Sequence, residues 1–273
     1  MKCWKVAANS QNSAAGFKIE EKAAYTFEGH DLAVVSVTAN GDGTRAASSS
    51  MDGSIRIYDL TSGSTVKTIN AGPAETWTIS HHPTQNLVAS GTHSGVVNLW
   101  DTTQGTKTVL GSAGNKFAMS VKFSPNGRYV ASGTFDGGVT VFDVEEKKNV
   151  KLSGHTKAVR ALAFTAGSDM LITGSDDHSI NVYEIRSGEQ VASLSGHKSW
   201  VLDVTASSRS EHQIVSASSD KKLKVWDLRT KECVHTFDHH SDQVWGVAFD
   251  PSSTHIASVS DDCALVISDC HEK

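Results

Sequence analysis

Long apolar runs are missing from these 273 residues. No segment therefore reads as a transmembrane helix, which needs about 20 consecutive apolar residues. The N-terminus lacks the apolar core of a secretory signal. An excess of positive charge is missing too. The 25 Lys and Arg stand against 30 Asp and Glu, a net charge of −5, so no basic field points to direct nucleic-acid binding or to a membrane surface. Cysteine is scarce. Cys3, Cys233, Cys263 and Cys270 form no CxxC pair and no zinc spacing, which predicts free thiols in a reducing compartment. Nothing resembles a P-loop or a dinucleotide fingerprint, so no cofactor is expected. The pairs His81-His82 and His239-His240 are adjacent. Neighbours on a strand point to opposite faces, so neither pair is expected to chelate a metal. The run Glu145-Glu146-Lys147-Lys148 and the pair Lys221-Lys222 read as solvated turn charge.

What is present is repetition. The segments IRIYD, VNLWD, VTVFD, INVYE, LKVWD and LVISD each end a strand, with the aromatic position at Tyr58, Trp100, Phe142, Tyr183, Trp226 and, degenerately, Ser268. Successive differences are 42, 42, 41, 43 and 42 residues, the period of propeller blades. Each unit holds short runs of Val, Ile, Thr and aromatics in period-2 alternation, separated by Gly, Asp, Asn and Ser turns. That pattern excludes helical repeats of similar length.

The chain resembles the WD-repeat family of β-propellers over essentially its whole length. The family's dipeptides stand here as Gly29-His30, Gly154-His155 and Gly196-His197, and as Trp100-Asp101 and Trp226-Asp227. Each unit also carries polar residues at constant offsets, usually a carboxylate six residues before the aromatic and a Ser or Thr ten before. The fullest set is His197, Ser216, Asp220 and Trp226. Similar sets are His30, Ser48 and Asp52 with Tyr58, and His155, Thr173 and Asp177 with Tyr183. The resemblance implies a buried hydrogen-bond network in each blade. A Ser-His-Asp set also invites a catalytic reading, but a hydrolase needs one triad in one cleft. Recurrence once per blade is what structural satisfaction of buried polar groups requires. No catalytic residues are expected, and the protein is read as a non-enzyme. Two units break the pattern: Gly72-Pro73 and Gly114-Asn115 replace Gly-His, and Ser94 replaces a turn carboxylate.

By the same resemblance, the start of each first strand and the residue before each turn carboxylate face the narrow top of the propeller. These positions hold Val35, Trp77, Phe117, Met119, Arg160, Trp200, Leu202, Gln243 and Trp245, and Met51, His93, Phe135, Asp176, Ser219 and Asp261. Three tryptophans on one rim, with Phe117, Phe135, Met51 and Met119, read as a protein-binding patch, because exposed apolar clusters mark interfaces. Asp176 and Asp261 would suit a basic residue of a bound peptide.

Several stretches are similar to one WD-repeat group, the propeller subunits of the superkiller (Ski) complex, found in animals also in the Paf transcription-elongation complex. They are EGHDLAVVSV (28–37), NAGPAETWTIS (70–80), SGTHSGVVNLW (90–100), LSGHKSWVLDV (194–204) and CVHTFDHHSDQVWGVAF (233–249). This implies a monomeric propeller inside a hetero-complex, cytoplasmic and nuclear. Its partners would be a tetratricopeptide-repeat subunit and a helicase that feed RNA to the exosome, or Paf subunits acting in elongation and histone modification. The competing readings are a substrate receptor of a ubiquitin ligase, whose docking motif is not seen, and a propeller enzyme, which would need a unique polar cluster in the channel.

One domain over 1–273 is expected, with a partial blade over 1–29 and repeats near 30–71, 72–113, 114–154, 155–196, 197–239 and 240–273. MKCWKV aligns with a third strand, with Trp4 at the aromatic position and Lys5 where Asp would be. AAYTFEG (23–29) reads as the fourth strand, after a polar insertion from Ser10 to Gly16. The strand count then predicts an all-β, seven-bladed propeller whose first blade is incomplete because N-terminal strands are missing. The alternative is a closed six-bladed ring with 23–29 paired to the strand 264–268. Pairing of 23–29 with residues 2–6 would favour the first.

Overall fold

The computed structural model describes residues 1–3, 6–8, 17–19, 22–72, 76–114 and 116–270. Trp4, Lys5, the stretch from Ser10 to Gly16, Pro73 and Asn115 lie outside the described residues. All regular structure among them is β-strand.

Four short strands come first: β1 (Lys2–Cys3), β2 (Val6–Ala8), β3 (Phe17–Ile19) and β4 (Tyr25–Thr26). Six antiparallel sheets follow. Blade 1 is β5 (Val34–Ala39), β6 (Arg45–Ser50), β7 (Ser54–Asp59) and β8 (Ser64–Asn70). Blade 2 is β9 (Thr78–His81), β10 (Leu87–Gly91), β11 (Val96–Asp101) and β12 (Lys107–Ser112). Blade 3 is β13 (Ala118–Phe123), β14 (Tyr129–Thr134), β15 (Val139–Asp143) and β16 (Lys148–Leu152). Blade 4 is β17 (Val159–Phe164), β18 (Met170–Ser175), β19 (Ser179–Glu184) and β20 (Gln190–Ser195). Blade 5 is β21 (Val201–Ala206), β22 (Gln213–Ser218), β23 (Leu223–Asp227) and β24 (Glu232–Phe237). Blade 6 has three strands, β25 (Val244–Phe249), β26 (His255–Ser260) and β27 (Leu265–Asp269).

Each blade is a meander, because short alternating strands joined by tight turns pair with their sequence neighbours. The turn between second and third strands places one residue at left-handed φ. It is glycine in blades 1–3 (Gly53, Gly95, Gly137) but His178, Lys221 and Cys263 in blades 4–6. Core residues lie between blades. Val201 and Val204 of blade 5 press on Gly174 of blade 4, where a Cβ would meet Val201 Cγ1 at 2.6 Å. Gly133 takes Val159 in the same way. These glycines are seats for the next blade's first strand.

Among the described residues a seventh blade is not formed, and the propeller has six. Residues 1–29 supply a two-stranded ribbon in its place. β1 pairs with β4, Lys2 opposite Thr26 and Cys3 opposite Tyr25, and β2 pairs with β3. Phe27 closes the ribbon through two backbone bonds with Met1, at 2.8 and 2.9 Å. Its buried ring lies 4.5 Å from that of Tyr58 in blade 1. Residues 25–26 thus pair with residues 2–3, as the sequence leads one to expect, and not with blade 6, so the six-bladed ring closed through that strand is not formed. The ribbon stands where an outer pair of strands would stand beside blade 1. Gly63 of blade 1 abuts Tyr25, as Gly105 of blade 2 abuts Lys67 of blade 1 and Gly188 of blade 4 abuts Val150 of blade 3.

First strands pack in succession, β5 on β9, β9 on β13, β13 on β17, β17 on β21 and β21 on β25. Comparable packing between β25 and β5 is missing among the described residues. Val34 and Val37 of β5 are exposed, whereas Val159, Val201 and Val244 at the place of Val34 are fully buried.

Candidate protein-binding rim and the buried polar networks

The first strands are built with one extra residue. In blades 1, 3, 4, 5 and 6 the register against the second strand slips by one near its start. The residue inside each slip is Val35, Met119, Arg160, Leu202 or Trp245, and Trp77 holds the matching place in blade 2. A bulge re-aims the side chain that it carries. Phe117 and Trp200 lie two residues before the bulge of their blades.

Part of the expected rim comes together. Trp77 meets Phe117 edge-on, with ring centroids 5.0 Å apart, and His93 lies 5.0 Å from Phe117. With Val35, Ser50, Met51 and Thr76 these rings line a pocket of about 240 Å³. The three tryptophans stay open to solvent, Trp77 at 39%, Trp200 at 42% and Trp245 at 48%. Phe135 is exposed as well, whereas Leu202 is buried. Asp261 is exposed. Asp176 is not open to a basic ligand. It is buried, and both its oxygens are held by Arg160, at 2.6 and 2.8 Å. The same guanidinium stacks 5.2 Å from the Trp200 ring. Arg160, Asp176 and Trp200 thus form one preassembled unit.

The polar sets are satisfied from within. In blade 5 the Trp226 indole N–H donates to Ser216 Oγ at 2.8 Å, and Ser216 Oγ lies 2.7 Å from His197 Nε2. His197 Nδ1 is 2.9 Å from Asp220 Oδ2, which also accepts the Lys198 N–H. One neutral tautomer, with the proton on Nδ1, satisfies every group of the chain. His30, Ser48, Asp52 and Tyr58 repeat it in blade 1. In blade 4, His155 holds Asp177 and Thr173 at 2.9 and 2.7 Å. Burial works against the Asp220 charge, but the hydrogen bonds from His197, Lys198 and Lys222 outweigh it and pull the carboxyl down to about 2. Asp177 is pulled to about 2 in the same way.

A fourth network lies in blade 6. His240 Nδ1 meets Asp262 Oδ2 at 2.9 Å and Nε2 meets Ser258 Oγ at 2.8 Å. Sequence reasoning missed it, because His239 replaces the glycine of Gly-His and Ser268 replaces the aromatic. The offsets of six and ten residues back from Ser268 were the available signal. The histidine pairs are also not placed as strand neighbours. His239-His240 is in the loop before β25, and His82 follows the end of β9. His81 is buried, its Nδ1 donating to the His82 carbonyl at 2.8 Å, and burial lowers both imidazoles from their usual value. No group of three potential metal ligands occurs among the described residues.

Blades 2 and 3 lack the histidine. Trp100 still donates to Ser90 Oγ at 2.9 Å, and Ser94 Oγ meets Thr92 Oγ1 at 3.0 Å. The contrast makes a prediction. Asp220→Ala strands the His197 and Lys198 donors and should destabilise the fold by about 1–3 kcal/mol. Ser94→Ala should cost clearly less, because no histidine depends on it. Urea melts compare the two, and equal midpoint shifts would remove the network's structural role.

Asp203 is the other polar group that sequence reasoning passed over. Its Oδ2 accepts the Val247 N–H of blade 6 at 2.9 Å and its Oδ1 accepts the Val204 N–H at 2.9 Å. In blade 1 the equivalent Ser36 Oγ accepts the Ile79 N–H of blade 2 at 3.2 Å. A carboxylate therefore ties blades 5 and 6 where a hydroxyl ties blades 1 and 2. Burial pushes the Asp203 carboxyl up to about 6. A carboxyl whose folded value exceeds its unfolded value stabilises at low pH, and the contribution fades as pH climbs through 6. Asp203→Asn should therefore gain on the wild type, by on the order of 2 kcal/mol, between pH 4 and pH 7.5. Urea midpoints at the two pH values measure it; a constant difference would show that Asp203 titrates normally.

Comparison with known proteins agrees with this architecture. Residues 5–269 match the family described as the IFT122 first beta-propeller. WD repeat-containing protein SL1-17 of Schistosoma mansoni is 39% identical over 249 residues, 91% of this chain and 83% of that protein. Shorter matches reach WD repeat-containing protein VIP3 of Arabidopsis thaliana, 36% identical over 23% of this chain and 20% of that protein, and meiotic recombination protein rec14 of Schizosaccharomyces pombe, 48% identical over 15% and 13%. A near-full-length family match, a relative similar over most of its length, and blades each built on one repeat lead to one conclusion: the chain belongs to the WD-repeat β-propellers, a family of protein-interaction scaffolds.

Proposed function

We propose that the protein is a non-enzymatic scaffold that docks partner proteins on the rim formed by Trp77, Phe117, Met119, Phe135, Trp200 and Trp245. The observation that carries this reading is the exposure of three tryptophans at rim positions, when most large apolar side chains of the blades are buried. Tryptophan supplies large contact area at low entropic cost and dominates interface hot spots. The Ser-His-Asp sets tie the turn of each blade to the loop before its own first strand, a structural task. The finer assignment is a subunit of a Ski-type complex acting in cytoplasmic 3′-to-5′ mRNA decay, of a nuclear Paf-type complex, or of both. Its partners are a tetratricopeptide-repeat subunit and a helicase, or Paf subunits. The similarity of 28–37, 70–80 and 233–249 to that group supports it. Affinity purification of the tagged protein with mass spectrometry tests it. Recovery of the tetratricopeptide subunit with the helicase, or of Paf subunits, is the expected result. Recovery of a ubiquitin ligase in their stead would overturn the assignment.

A further inference from the structure

At the strand ends opposite the rim, the turn after each third strand packs beside the outer strands of the blade before it. Between blades 4 and 5 this leaves a groove of about 220 Å³. Its floor is apolar, made of Met170, Val182, Val191, Ala192 and Leu228. Val182 is 1% exposed and belongs to the core shared by the two blades, on which Met170, Ala192 and Leu228 pack; Val191 is 37% exposed. His212, Arg229 and Lys231 complete the lining, all three exposed, and no carboxylate of the described residues is part of it. Glu211, next to His212, accepts the Gly167 N–H at 3.2 Å. Asp227, outside the lining, meets Arg229 at 3.2 Å, so one carboxylate stands against two fixed cations. The corresponding groove between blades 3 and 4 has Asp143 and Glu146 in its walls. There Arg128 is held by both at 2.8 Å, and Lys148 by Glu146 at 2.9 Å. Lys231 is irregular in its backbone as well. Its place in the turn lies at left-handed φ and is glycine in blades 1, 2 and 4 (Gly63, Gly105, Gly188) and Lys147 in blade 3. Lys231 takes φ 62° there, and its Nζ donates to the Val191 carbonyl of blade 4 at 2.9 Å. A carbonyl partner fixes the ammonium beside the groove and leaves its charge uncancelled.

We propose that the groove between blades 4 and 5 is a second docking surface, which receives an acidic peptide segment carrying one aliphatic side chain. The aliphatic side chain sits on Met170, Val191 and Leu228, where the apolar floor offers no hydrogen bond to compete for. Carboxylates on either side of it meet Arg229 and Lys231 in charge-assisted hydrogen bonds. The guanidinium fork accepts a carboxylate edge-on, and the ammonium acts as a point charge. The whole chain carries a net charge of −5. An acidic segment is therefore repelled by the protein at large and attracted only where cations are left uncancelled, which makes the groove selective. The surface lies at the far ends of the strands from Trp77, Trp200 and Trp245, so it serves a contact separate from the rim and does not depend on the rim reading.

The probe is a fluorescent peptide of one leucine between glutamates, EEELEEE, titrated against the full chain by anisotropy at low salt. Saturable binding is expected below about 1 mM, weakening as salt is added. The combination of Arg229→Gln with Lys231→Gly should weaken it at least about tenfold, as should serine at the peptide's leucine or Val191→Glu on the floor. Glycine suits the left-handed φ of Lys231, so Lys231→Gly removes the charge without straining the turn; circular dichroism and melting confirm that each variant is folded. No saturation, equal affinity in the variants, or equal affinity for the uncharged peptide QQQLQQQ overturns the proposal. Trp77→Ala should bind EEELEEE as the wild type does. Loss of binding in that variant would place the peptide on the rim and overturn the proposal while leaving the rim reading intact.

Discussion

Trp226→Ala should lower stability by about 3–5 kcal/mol, the cost of emptying a large buried aromatic site. That is a large share of the roughly 5–15 kcal/mol that holds a typical domain. Trp226 is almost fully buried and packs among Ile180, Val201 and Val204, so its ring bridges blades 4 and 5. It also donates to Ser216 and lies edge-on to His197 at 6.1 Å. Blade 6 separates the two roles. There His240, Ser258 and Asp262 assemble with Ser268 at the aromatic's place, so the polar set forms without the ring. The loss in Trp226→Ala is therefore assigned mainly to packing, and Trp226→Phe should recover about half of it. Urea unfolding measures both. A Phe variant as unstable as the Ala variant would return the effect to the lost indole hydrogen bond.

Alanine at Trp77, Trp200 or Trp245 should act in the opposite way, on binding and hardly on folding. Each ring keeps more than a third of its surface in solvent, so truncation leaves no sealed cavity. A tryptophan central to an interface costs on the order of 2–4 kcal/mol of binding when truncated, about a thirtyfold to thousandfold loss of affinity. Trp77 should show the largest loss, because it walls a pocket with Phe117 and Met51 that can seat an apolar anchor. Titration of whichever partner the affinity purification recovers against each variant measures the effect. Wild-type affinity in all three would move the interface off this rim.

The parts of the fold legible in the sequence were those fixed by period. An interval of 41 to 43 residues located every third strand, and constant offsets located three polar networks. The blade count was not legible in the same way. The pairing of AAYTFEG with residues 2–3 was read from the sequence and is found, but whether such a pair grows into a seventh blade depends on partners far away in sequence. Pairing with β1 leaves six blades and a ribbon. The rim was legible as a set of positions, yet the bulges that aim those residues were not, since an extra residue in a strand alters no alternation that a short window detects. Asp176 looked like a ligand-binding charge until Arg160 was seen to neutralise it. Asp203 was hidden because its partner is a backbone N–H, which leaves no trace in a side-chain pattern.

Among the described residues, packing comparable to that of adjacent blades is missing between β25 and β5, which turns a circle into a line. In a closed ring every blade has two neighbours, and the contact between last and first blades joins residues far apart in sequence. Here the described contacts run between sequence-adjacent blades, as in a one-dimensional array whose stability is a sum of unit and nearest-neighbour energies. Such an array frays from its ends. Hydrogen exchange should accordingly be fastest in blade 6, slow toward blades 3 and 4, and quicken again toward the ribbon. Because no long chain closure must be won before the first contacts reward it, folding can begin at any interior pair of blades.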